Sequence, residues 1–197
     1  IFDCLVGSEM CIRDSSSADA LILAEKSWDS WWFWNSDDSD EATNIHMFDI
    51  SNSGTTEYIA SGRVDGTIQN QFSLSEYQGV LRVASTEGQW GRWWLDNPEP
   101  MTSNVVTLRP IADANGHTTL EQIGIVEGIA PNETIWSARF VEDRAYIVTF
   151  ENMDPLWTID LSDPANPTIM GELKIPGVST YILSLIHISE PTRQSKI

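Results

Sequence analysis

Positive charge is scarce in this sequence. Of 197 residues, 11 are Lys or Arg and 29 are Asp or Glu, giving a formal net charge of −18. Such a chain repels polyanions, and no basic cluster offsets the excess, so nucleic-acid binding through phosphate contacts is excluded. The same sign disfavours an anionic membrane surface. Long apolar runs are also missing. None approaches the roughly 20 residues that a spanning helix requires, so no transmembrane segment is expected here. The first residues lack the basic and then apolar layout of a signal peptide. Cysteine is confined to Cys4 and Cys11. Against these absences stand 9 Trp and 41% apolar residues, enough for one domain with a genuine core.

Two peptides differ in character from everything between them. LVGSEMCIRDS, from Leu5 to Ser15, and LSLIHISEPTR, from Leu183 to Arg193, resemble translations of complementary strands of one transposon-end adapter used in sequencing libraries. Selection gives no reason for peptides at opposite ends to encode an oligonucleotide and its reverse complement. Residues 1–15 and 182–197 are therefore read as adapter-derived, as fusion scars are set aside before fold reasoning, and 16–181 as the native part. The native part then contains no cysteine, and Cys4 and Cys11 carry no information about an oxidising compartment. Removing Arg13, Arg193 and Lys196 along with Asp3, Glu9, Asp14 and Glu190 leaves the acidic excess nearly intact. The coding frame is expected to run past both junctions, taking any signal peptide, anchor or further domain with it.

An internal repeat organises what remains. IHMFDISNSGTTEYIASGRVDG (Ile45 to Gly66), VVTLRPIADANGHTTLEQIGIVEG (Val105 to Gly128) and LWTIDLSDPANPTIMGELKIPG (Leu156 to Gly177) each read as strand, turn, strand. Asp49 and Asp160 close the first strand in two copies. The middle copy carries two more residues and puts Arg109 at that position. The turns hold Asn52, Ser53 and Gly54, then Asn115 and Gly116, then Asp163, Pro164, Asn166 and Pro167, all residues that favour chain reversal. A second hairpin follows the first two copies: Gln71 to Leu74 with Val80 to Ala84, and Trp136 to Phe140 with Ala145 to Phe150. Four strands in two consecutive hairpins, recurring at about 60 and then about 51 residues, predict all-β structure: a partial β-propeller built from four-stranded antiparallel blades, about two to three of them. Val, Ile, Thr and aromatic residues dominate the runs, as strands prefer.

The segments NQFSLSEYQGVLRVAST, TNIHMFDI and SARFVEDRAYIVTFENMDPLWTIDLSDPANPTIMGELKIPG resemble the bacterial secreted beta-propeller domain family, a distant relative of WD-type repeats. The likeness covers about Thr43 to Tyr181 and is carried by Ser137 to Phe140, Asp143 to Tyr146, Asp154 to Leu156 and Asp163 to Gly177. It departs at Gln89 to Asn104, an insertion. The resemblance implies a propeller fold in an extracellular or cell-surface protein, and the adapter-like ends imply a metagenomic fragment of it. It implies no established activity and transfers no catalytic residue.

Local features complete the reading. Trp28, Trp31, Trp32, Phe33 and Trp34 are expected to form a buried strand before the first repeat. Trp90, Arg92, Trp93 and Trp94 lie in the insertion between two strands and are the candidate ligand-binding residues, because a long loop on a rigid scaffold is where binding groups sit. Exposed Trp stacks on flat ligands such as sugar rings. Asp37, Asp38, Asp40 and Glu41 offer oxygens that calcium could accept, although the glycine and terminal Glu of an EF-hand loop are missing. The carboxylates of Asp49 and Asp160 are expected to accept backbone N–H bonds in turns. His46 reads as a strand residue and His117 as a turn residue, neither at zinc spacing. No nucleophile elbow or phosphate loop is present. The function expected is a non-enzymatic module, without cofactor apart from calcium, that binds a protein or glycan at its loops. The alternative is part of a propeller hydrolase or lyase with its active site in the central channel.

Overall fold

The computed structural model describes residues 12–27, 42–88, 100–150, 154–175 and 182. Alternation makes the strands. In β2 (Ala20–Ser27), Ala20, Ile22 and Ala24 are buried while the residues between them are half-buried, the period of two that follows from placing one strand face in a core. Together with β1 (Ile12–Ser16), β3 (Ala42–Asp49) and β4 (Glu57–Asp65) it forms an antiparallel unit in simple consecutive order. Ile12 to Ser15 of β1 belong to the N-terminal peptide read above as adapter-derived. A second unit comprises β5 (Leu74–Tyr77), β6 (Val80–Glu87), β7 (Thr102–Ala112) and β8 (Thr118–Ile129). The third comprises β9 (Thr134–Val141), β10 (Arg144–Phe150), β11 (Asp154–Asp160) and β12 (Thr168–Ile175). A 3-10 turn over Gln71–Ser73 leads into β5, where the Asn70 side chain accepts the N–H of Phe72 at 2.9 Å.

The blades are cut one hairpin earlier than the sequence repeat suggests. The hairpin β5–β6 pairs with the following repeat, through Leu81–Glu87 against Thr102–Leu108, and β4 has no ladder to β5. The expected equivalence of Asp49, Arg109 and Asp160 holds in register: Asp49 pairs with Ala20 and Asp160 with Arg144, while the Leu81–Leu108 pair sets Arg109 opposite Val80. The middle hairpin continues past Arg109 to Ala112. Its turn acid is Asp113.

Packing between blades supplies two cores. Ile22, Ala24, Ile45 and Met47 of the first blade meet Leu81, Val83, Val106, Leu108 and Leu120 of the second. Ala84, Val105 and Ile129 of the second meet Ala138, Ala145, Ile147 and Ile159 of the third. Strand β6 is therefore buried on both faces from Val80 to Ser85, as expected of a blade held between neighbours. The outer strands β4 and β8 touch through a single parallel pair, Ser61 with Thr119. Gly62 allows the approach, since a Cβ there would lie 2.6 Å from both the Cβ and the carbonyl oxygen of Leu120. At the next junction the buried Thr107 hydroxyl donates to the Pro164 carbonyl at 2.6 Å and lies 3.1 Å from that of Gly124. Gly66, which ends the first repeat at φ 83, packs against the Thr86 carbonyl in a conformation costly for any other residue.

Candidate functional site

Antiparallel order gives each blade two rims. At one rim lie the β5–β6 and β9–β10 turns together with the turns that end β3, β7 and β11; the Leu161 N–H bonds the Asp143 carbonyl at 2.8 Å and the Ile50 N–H bonds that of Asp19 at 2.9 Å. At the other rim, the Asn132 N–H bonds the Met101 carbonyl at 2.7 Å, and the Ser103 hydroxyl reaches the Glu133 carbonyl at 3.2 Å. This second rim is where β2 hands over to β3 and β6 to β7, at the paired residues Ser27–Ala42 and Glu87–Thr102. Residues 28–41 and 88–101 are thus equivalent connections of equal length in adjacent blades.

The candidate ligand residues Trp90, Arg92, Trp93 and Trp94 fall in the second of these connections, and Trp28 to Trp34 with Asp37, Asp38, Asp40 and Glu41 fall in the first. All of them lie outside the described residues, as do Cys4 and Cys11. Among the described residues no group of three or more His, Cys, Asp or Glu is placed to hold a metal ion. No helix among them is long and apolar enough to cross a membrane.

The turn acids act as their chemistry suggests. Asp49 accepts the N–H of Ser51 at 2.8 Å, Asp160 that of Ser162 at 2.9 Å, and Asp113 those of Asn115 and His117 at 2.7 and 2.9 Å. Bonds from the Ser51 side chain and backbone hold the Asp49 carboxyl below its ordinary range. The N–H groups of His117 and Asn115 do so for Asp113, and the backbone and side chain of Ser162 for Asp160. His117 is an exposed turn residue with Nδ1 3.7 Å from Asp113. His46, a strand residue, has Nδ1 2.5 Å from the Ser61 hydroxyl and Nε2 3.6 Å from Glu25, and Tyr58 donates to the same hydroxyl at 2.8 Å. A Ser–His–Glu row thus crosses the face of the first blade opposite its packed side. Sequence separation hid it.

A feature not anticipated from the sequence is a cleft between the second and third blades at the turn-acid rim. Its volume is about 350 Å³, and Tyr77, Arg82, Arg109, Glu142, Asp143 and Leu161 are among its lining residues. Arg82 lies on β6 and is only 4% exposed. Its guanidinium donates to the Glu142 carbonyl of the next blade and to the Ser75 hydroxyl at 2.6 Å. It also sits 5.2 Å from the ring centroids of both Tyr77 and Phe140, within cation–π range. Burial pushes its pKa down to about 10, against the pull of Glu76, Tyr77 and Asp143. The sequence signal was the one charge inside the apolar run VLRVA.

Three consecutive four-stranded antiparallel units with inter-blade cores define a segment of a β-propeller. The sequence agrees: the chain belongs to the beta propeller domain family, which matches residues 15–186. An uncharacterized protein of Methanocaldococcus jannaschii is 43% identical over 124 residues, covering 63% of this chain and 18% of that protein. An uncharacterized protein of Archaeoglobus fulgidus is 34% identical over 172 residues, covering 87% of this chain and 24% of that protein. The chain therefore spans about a quarter or less of the length of these relatives. Both are archaeal, and neither carries the bacterial origin that the sequence resemblance implied.

Proposed function

We propose that this chain is an interaction segment of a secreted or cell-surface propeller, non-enzymatic, which binds a protein or a glycan through aromatic loops on one rim. The observation that carries the reading is positional. Two equivalent connections in adjacent blades, 28–41 and 88–101, leave the sheets at the same rim, and Trp28, Trp31, Trp32, Trp34, Trp90, Trp93 and Trp94 all belong to them, out of 9 Trp in the chain. Aromatic residues carried between strands of a rigid sheet suit flat, weakly polar ligands such as sugar rings, a role that for Trp28 to Trp34 stands against the buried strand expected of them. Asp37, Asp38, Asp40 and Glu41 border the first cluster, and in this reading calcium is a weak accessory ligand there. An acid-rich, lysine-poor sequence, with Lys26, Lys174 and Lys196 its only lysines, suits hydration in salty surroundings.

The test is polysaccharide binding by the parent chain and by Trp93→Ala and Trp94→Ala. Binding weakened by roughly tenfold, about 1.4 kcal/mol, with an unchanged melting temperature supports the reading; equal binding by both variants removes it. A competing class, a hydrolase, has support from the Ser61–His46–Glu25 row, whose hydroxyl has a base in hydrogen-bond reach, on a blade face and not in the central channel expected for it. Cleavage of the same polysaccharides, lost in His46→Gln, is the outcome that selects it.

A further inference from the structure

The inter-blade cleft holds charge of both signs, with Glu76 and Asp143 drawing on the Arg82 guanidinium from beside it and Arg144 next to Asp143. On the cationic side, Arg82 is nine-tenths buried and its direct partners are a carbonyl, a hydroxyl and two rings, none of them a carboxylate. Its Nε has no hydrogen-bond partner among the described residues and is itself closed to solvent, so only the outer guanidinium nitrogens can face the cleft. Withdrawing a guanidinium from water without an opposing charge in contact is costly. Arg109 lines the same cavity and is exposed. On the anionic side, Glu142 and Asp143 are exposed at the β9–β10 turn, and Asp143 is 3.9 Å from Arg144. Glu142 adopts φ 49 and Gln78, across the cleft, φ 53, so both walls carry backbone in the left-handed region that residues with side chains rarely adopt.

This distribution selects against most simple ligands. A plain anion meets Glu142, Asp143 and the field of a chain with net charge −18. A plain cation meets two guanidiniums. A polar, uncharged molecule leaves the buried cation as it was. A zwitterion answers both signs and, being neutral, escapes the long-range repulsion. Among the lining residues the exposed Tyr77 ring gives the apolar surface, with the buried Val80 and Leu161 behind the lining. The volume, about 350 Å³, lies at the small-molecule end of binding sites.

We propose that the cleft binds a free α-amino acid with an apolar side chain, its carboxylate toward Arg82 and Arg109 and its ammonium toward Glu142 and Asp143. The site is on the rim opposite the aromatic connections, so it stands whether or not these bind a glycan. Titration calorimetry of the whole chain with L-leucine, L-valine and L-phenylalanine tests it. The expected result is one molecule bound per chain by at least one of the three. N-acetyl-leucine and leucinamide, each lacking one charge, should bind at least about tenfold more weakly. Arg109→Gln and Glu142→Gln change exposed groups and should keep the melting temperature while losing binding. Absence of binding by all three amino acids up to about 10 mM overturns the proposal. So does equal binding of the two singly charged analogues, or unchanged affinity in Arg109→Gln.

Discussion

Single acids, Asp49, Asp113 and Asp160, hold the turns of one hairpin in each blade. Asp113 accepts two backbone N–H groups, from Asn115 and His117, and its carboxyl is held below the ordinary value of 3.8. A carboxyl whose folded pKa is depressed adds stability above its unfolded pKa and loses it as pH falls through the folded value. Melting temperature is accordingly expected to fall as the pH drops below about 4. In Asp113→Asn the slope between pH 5 and pH 3 should be shallower, and an identical slope would show that the turn carboxylate does not contribute. Turn chemistry was readable in the sequence because it is local: Asp49 and Asp160 stand beside the residues they bind. Asp113 was less legible, since the middle hairpin carries its strands past the position that alignment equates with Asp49. Arg82 was hidden for another reason. What surrounds it comes from Phe140 and Glu142, far along the chain.

Between elements, the decisive quantity is how closely sheets approach. Gly62 on β4 lies so near Leu120 on β8 that an added Cβ would overlap it at 2.6 Å. Gly62→Val should destabilise the fold by about 1–3 kcal/mol, the range for overpacking a tight contact, read as a lower urea midpoint with an unchanged slope. A midpoint within error of the parent would mean that β4 and β8 slide apart at no cost. Strand pairs joined by short turns were visible in the sequence as alternating apolar runs. The grouping of hairpins into blades was not, because the ladders that set it, β6 with β7 and β10 with β11, depend on which edges meet in space. The insertion Gln89 to Asn104 concealed the first of these ladders, as its last residues already belong to β7.

At the scale of the whole molecule, the fold class was legible from periodicity and the site was not. The all-β class and the recurring hairpins follow from one repeated pattern. The cleft and the Ser61–His46–Glu25 row exist only once the strands are assembled. The equal connections of the first two blades have a further consequence. They start and finish at matched ladder positions, Ser27–Ala42 and Glu87–Thr102, so the scaffold treats them as interchangeable cassettes. A chain in which residues 29–39 and 89–99 trade places, leaving Gly88 at φ 115 against Pro100 and Met101, should keep a single unfolding transition at the parent temperature, and a second transition would show that a loop is tied to its own blade. The rim then behaves as a row of sockets in which recognition can be rewritten by recombination, with the ladders beneath left as they are.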